Sequence, residues 1–234
     1  MRDLRIVFLG TPDFAVASLD ILVKNNYNIV GVVTAPDKPS GRGQKINMSA
    51  VKEYALEKGM KVLQPVKLKD PDFLKELKDL NADLQIIVAF RMLPEIVWNM
   101  PPKGTFNLHA SLLPQYRGAA PINWAVINGE AKTGVTTFFL QHEIDTGDIL
   151  FRSEVAIGEN QTAGELHDTL MEIGAKLVLK TVQAIEDDNI QPKKQEEFHE
   201  SELKHAPKIF KDTCRINWEN DVTTIHNFIR GLSP

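Results

Sequence analysis

The chain has 234 residues, 43% hydrophobic and 25% charged, with a formal net charge of −4 at pH 7. Such values describe an ordinary globular chain able to bury a substantial core, and they exclude a protein that binds nucleic acid over its whole surface. The single cysteine, Cys214, excludes an internal disulfide framework and fits a reducing compartment. No apolar run reaches transmembrane length, and Leu4 to Gly10 is too short for a secretory h-region, so a cytoplasmic protein without a membrane partner is expected.

Leu4 to Gly10 is a short β-branched apolar run of the kind buried in a parallel sheet. Thr11-Pro12-Asp13 turns the chain, Phe14 to Leu22 recurs at helical spacing, and Asn28 to Thr34 is a second buried strand. This βαβ opening predicts an α/β fold: a doubly wound, Rossmann-like, mostly parallel sheet with helices on both faces. Only one glycine stands in the first turn, Gly10-Thr-Pro-Asp-Phe-Ala15, so the Gly-x-Gly-x-x-Gly cradle for a dinucleotide pyrophosphate is absent.

Residues 35–47 are rich in Gly and Pro and carry Lys38, Arg42 and Lys45, which predicts an exposed, mobile loop; it lacks the Gly-Lys-Ser/Thr of a P-loop. Ser49 to Lys58 reads as a helix with Ser49 as its N-cap. A short strand follows at Lys61 to Gln64, a helix at Pro71 to Leu80, and a buried strand at Leu84 to Ala89. That strand leads into Phe90-Arg-Met-Leu-Pro94 at the C-terminal sheet edge, where open α/β sheets bind ligands. Strands are expected at Gly104 to His109, Thr133 to Gln141 and Asp148 to Ile157, with a helix from Ala119 to Asn128. A long amphipathic helix spans Thr162 to Asp187. The polar stretch from Glu186 to Glu202 reads as the closing trim of the first domain, Cys214 to Trp218 as a strand, and Thr223 to Arg230 as a terminal helix.

The chemistry concentrates on the strand ending at His109. Its period of two puts the Asn107 amide and the His109 imidazole on one face. The next strand empties into a turn carrying Asp145, whose carboxylate could reach back towards them. An amide donor for a developing oxyanion beside an acid–base pair suits acyl transfer with no nucleophilic Ser or Cys. A Ser-His-Asp hydrolase would need Gly-x-Ser-x-Gly, which is absent. The six histidines are scattered without a His-x-x-x-His or a Cys pair, so no metal is expected.

Asn107-Leu-His109, together with Ser111-Leu-Leu-Pro114, Arg117-Gly-Ala-Ala-Pro121 and Asp145-Thr-Gly-Asp148, resembles the formyltransferases that use 10-formyltetrahydrofolate. Gly10-Thr-Pro-Asp-Phe-Ala15 is similar to the opening turn of the branch that acts on methionyl-tRNA. The resemblance implies formyl transfer from 10-formyltetrahydrofolate, as co-substrate, to the α-amine of initiator methionyl-tRNA, by direct amine attack through a tetrahedral intermediate. Asn107 would hold the oxyanion, His109 would stabilise it or protonate the departing nitrogen, and Asp145 would orient His109 or water or accept the amine's proton. Phe90, Met92, Leu93, Ser111, Leu112, Leu113 and Pro114 are implied folate contacts, and Lys38, Arg42 and Lys45 tRNA contacts. Arg91 stands where the family often has a small residue; pointing into the crevice, it would compete with the pterin.

The resemblance covers essentially this whole chain but only the catalytic part of the family's length. Residues 1–205 are expected to form the catalytic domain and 206–234 a linker and the start of a C-terminal region whose β-barrel is missing. A monomer is expected. Two other readings stay open: a relative that passes the formyl group to a sugar amine, a ribonucleotide or water, and a non-catalytic folate- or nucleotide-binding module.

Overall fold

A computed structural model describes residues 3–40, 45–195 and 202–234. The chain divides into two compact units, one of residues 1–108 and 178–190, the other of 109–177 and 191–234.

The first unit is built on parallel strands. β1 (Arg5–Gly10) pairs with β2 (Asn28–Val33), across the helix α1 (Asp13–Lys24). Two strands, β3 (Lys38–Ser40) and β4 (Lys45–Asn47), and the helix α2 (Ala50–Glu57) precede β5 (Val62–Leu63), which pairs parallel with β2. Helix α3 (Pro71–Asp79) leads to β6 (Leu84–Val88), parallel to β1. A short helix, α4 (Glu95–Trp98), then leads to β7 (Thr105–His109), parallel to β6. The expected mostly parallel sheet with flanking helices is therefore present. Its central strands are buried on both faces, which is why they read as continuous apolar runs: Ile6, Val7, Phe8 and Leu9 are fully inaccessible.

Helix starts follow their capping chemistry. Ser49 Oγ accepts the Lys52 amide at 3.1 Å, as its N-cap role requires. Asp70 accepts the amides of Asp72 and Phe73, with Pro71 at the first helical position, where no amide hydrogen is needed.

The second unit contains β8 (Arg117–Gly118), α5 (Pro121–Ile127) and the antiparallel pair β9 (Lys132–Phe139) and β10 (Ile149–Ala156). The long helix α6 (Ala163–Glu186) follows. β11 (His205–Ala206) then pairs parallel with β8, and α7 (Val222–Gly231) packs on α5, with Asn123 Nδ2 donating to the Gly231 carbonyl at 2.9 Å.

Two expectations need correction. Residues 35–47 are not wholly irregular, because β3 and β4 pair antiparallel from Lys38↔Asn47 to Ser40↔Lys45. Lys52 and Gln64 clamp Asp37 at the base of this pair, donating to its carboxylate at 2.5 and 2.8 Å, and the Lys52 bond holds Asp37 below the usual carboxylate range. Cys214 to Trp218 forms no strand: Lys211–Cys214 is a 3-10 turn. Trp218 is 73% exposed, so the alternation there has no core against which to bury a face.

Candidate active site

In the first unit, β7 carries Asn107 half-buried, with no hydrogen-bond partner for its carboxamide among the described residues. At the end of β6 the left-handed backbone of Ala89, at φ 47°, turns the chain away from the sheet. Phe90 is half-buried there. Arg91 donates to the carbonyls of Pro65 and Val66, the latter at 2.9 Å, so its cation is tied to a neighbouring loop. An open hollow of about 480 Å³ is lined by Lys67, Leu68, Lys69, Met92, Leu93 and Pro94. Leu93 is its buried wall and Met92 its exposed lip.

In the second unit, His109 is almost wholly buried and its Nε2 lies 2.8 Å from the Tyr116 carbonyl oxygen. Its other nitrogen, Nδ1, lies 4.0 Å from Asp145 Oδ2. The structure thus brings the expected His–Asp pair together, at a separation too long for a hydrogen bond. Asp145 has a left-handed backbone, φ 55°, and its Oδ2 accepts the Gly118 amide at 3.1 Å.

The run from Ser111 to Pro114 is mostly internal. Ser111 Oγ donates to the Gln115 carbonyl at 2.7 Å. Thr136 Oγ1 donates to the Ser111 carbonyl at 2.6 Å and accepts the Leu113 amide, and Arg152 donates to the Leu113 carbonyl. Leu113 packs with Phe138 and Ile149, Pro114 is buried, and Leu112 is the half-exposed member of the run.

Several supporting residues escaped the sequence reading. Gln195 Nε2 donates to the carbonyls of Asp145 and Gly147 at 2.7 and 3.0 Å, and its Oε1 accepts from Arg117 Nη2 at 2.6 Å. Its stretch reads from composition as mere trim, with no motif to mark it. Tyr116, φ 59°, donates its phenol to Glu130 Oε1 at 2.5 Å. Lys204 Nζ meets the same oxygen at 2.5 Å. Burial pushes the Glu130 carboxyl up, but its hydrogen bonds from Lys204 and Tyr116 more than offset this and hold it below its ordinary value. Burial and the Glu130 carboxylate together push the Tyr116 phenol well up.

Of the basic residues, Lys38 is exposed on β3, Lys45 lies on β4, and Arg42 falls outside the described residues. Among the described residues no group of three His, Cys, Asp or Glu could hold a metal ion, and no helix is long and apolar enough to cross a membrane.

Residues 4–182 match the family described as formyl transferase. The methionyl-tRNA formyltransferase of Bacteroides thetaiotaomicron is 62% identical over 234 residues, covering 100% of this chain and 73% of that protein. That of Flavobacterium johnsoniae is 59% identical, covering 100% of this chain and 74% of its own length. Among solved structures, the N-formyltransferase from Helicobacter canadensis in complex with folinic acid and dTDP-3-aminofucose superposes with a TM-score of 0.74 at 25% identity, covering 97% of this chain and 80% of that one.

Proposed function

The chain belongs to the formyl transferase family, and from that premise we propose how its residues transfer the group. Its activity is transfer of a formyl group from formyltetrahydrofolate to methionyl-tRNA. We infer direct attack by the α-amine of initiator methionyl-tRNA on 10-formyltetrahydrofolate, without a covalent enzyme intermediate. The observation that supports this reading is the placement on β7 of a carboxamide, Asn107, with no partner among the described residues, two positions before a histidine that lies 4.0 Å from Asp145.

The donor supplies a formyl carbon to the attacking amine. Asn107 Nδ2 donates to the formyl oxygen as negative charge develops there, a contribution stronger in the transition state than in the ground state. His109 moves the proton between the incoming and departing nitrogens, and Asp145 stabilises its cationic form across the 4.0 Å gap. The residues fit a folate. The hollow at Met92 and Leu93 offers an apolar wall for a flat ring system, with Lys67 and Lys69 at its rim for carboxylates. Because Arg91 is tied to the carbonyls of residues 65 and 66, it does not compete for the ring. Phe90 adds an aromatic face in the same unit, and in the second unit the run Ser111, Leu112, Leu113 and Pro114 supplies further folate contacts.

Arg42 takes the role of wedging into the tRNA acceptor end, while Lys38 and Lys45 contact its phosphates, which position without reading sequence. The protein acts as a monomer in the cytoplasm, with the catalytic residues all within 1–205.

The test mixes the protein with 10-formyltetrahydrofolate and follows deformylated folate, with and without charged initiator methionyl-tRNA. Turnover is expected only with the tRNA. Equal turnover without an acceptor would replace this reading with a hydrolase, and turnover only with a nucleotide-linked amino sugar would replace it with a sugar formyltransferase.

A further inference from the structure

His109 has two ring nitrogens, and the fold distinguishes them. Nε2 lies 2.8 Å from the Tyr116 carbonyl oxygen in a buried setting. A carbonyl has no hydrogen to give, so Nε2 must carry one. In the neutral ring the other nitrogen, Nδ1, then holds the lone pair, on the side 4.0 Å from Asp145 Oδ2. The tautomer is thus set by where the Tyr116 carbonyl points.

That direction is set in turn by an unusual backbone. Tyr116 has φ 59°, in the left-handed region that bulky side chains rarely adopt, and it needs outside support to stay there. The support comes from both ends of the residue. The Tyr116 amide donates to the Lys204 carbonyl at 2.6 Å. Its phenol donates to Glu130 at 2.5 Å and accepts from Asn128 Nδ2 at 3.1 Å. Lys204 Nζ closes the ring of contacts on the same Glu130 oxygen, 2.5 Å away. The residue is only 5% exposed, so losing these partners would leave a largely buried phenol short of hydrogen bonds.

We propose that Tyr116, anchored by Glu130 and Lys204, is a positioning residue that holds His109 in the Nε2–H form, so that Nδ1 is the atom through which the transferred proton passes. The inference rests on the reading of His109 as the proton carrier. As the new C–N bond forms, the amine loses one proton, and as the old bond breaks, the folate nitrogen gains one. Nδ1 takes up the first and delivers the second, so the enzyme ends in its starting state. Asp145 faces the imidazolium formed between these steps. Tyr116 itself touches no reacting atom.

The experiment is long-range 1H–15N spectroscopy of protein labelled at histidine nitrogens, with His109 assigned by comparison with His109→Gln. In the unsubstituted protein the neutral ring is expected to show Nε2 protonated and Nδ1 free. In Tyr116→Phe, which keeps the carbonyl but loses the phenol anchor, a mixture of tautomers is expected, with kcat lowered about tenfold and KM for the folate within about twofold. Glu130→Gln keeps an acceptor for the phenol and is expected to retain most of kcat, whereas Glu130→Ala should behave as Tyr116→Phe. The half-buried Glu130 variants keep the test open if Tyr116→Phe fails to fold. A predominant Nδ1–H form in the unsubstituted protein would overturn the proposal, as would spectra and kcat unchanged in both Tyr116→Phe and Glu130→Ala. The spectra report on the ring without any acceptor present, so their failure is separate from that of the catalytic reading, which falls if His109→Ala leaves turnover intact.

Discussion

At the scale of single residues, the site depends on which polar atoms are already engaged and which are left over. Ser111 lies in the same segment as His109, yet its hydroxyl is bound to the Gln115 carbonyl and it is fully buried, so it is no nucleophile. Asn107 is the reverse case, a half-buried carboxamide whose donors meet no described residue. Replacing it with Ala should lower turnover by about 10²–10³, the usual cost of losing one oxyanion donor. Donor binding measured by titration should stay within about tenfold of the unsubstituted protein, because the carboxamide acts mainly on charge that develops later. An equal loss of binding and turnover would assign Asn107 to structure instead.

At the scale of elements, the turn after β9 is held from outside. Asp145 has no regular secondary structure to fix it; Gln195 grips its carbonyl and that of Gly147, and the Gly118 amide grips its carboxylate. Gly147 is where backbone meets backbone. A Cβ built on it would lie 1.6 Å from the Phe139 carbonyl oxygen and 3.2 Å from the Phe138 ring. Gly147→Ala must therefore displace the turn, and with it the carboxylate 4.0 Å from His109. Turnover is expected to fall about tenfold or more, by the same sensitivity that makes small misplacements costly in catalysis. Steady-state kinetics beside a thermal melt would check this; a melt that drops while kcat holds would show that Asp145 tolerates the shift.

At the scale of the whole molecule, the charge is −4, so attraction for a polyanion must come from a local concentration of cations rather than from the net field. The 35–47 segment supplies three, and the β3–β4 pairing gives Lys38 and Lys45 a backbone frame clamped through Asp37. Arg42→Ala should raise KM for methionyl-tRNA and flatten its dependence on salt, by about one unit of slope on a logarithmic plot, while folate binding is spared. Steady-state assays across a salt series measure both quantities. An unchanged KM for tRNA would remove the loop from the tRNA contact.

What the sequence determined by itself was local or covalent. The βαβ order, the buried strands and the caps at Ser49 and Asp70 follow from apolar spacing and short-range hydrogen bonding, which need only near neighbours. That Asn107 and His109 share a face follows from the two-residue repeat of a strand, and the motifs around them were enough to suggest formyl transfer. What the tertiary structure decided was every contact between residues far apart in the chain. The 191–195 stretch reads as polar trim yet Gln195 braces the Asp145 turn, and Lys204 and Glu130 meet across 74 positions to hold Tyr116. The choice of ring nitrogen on His109 belongs there too, since it depends on where one carbonyl points, and no side-chain pattern encodes a carbonyl's direction. The failed strand at Cys214 to Trp218 has the same cause, because alternation makes a strand only where a partner and a buried face await it.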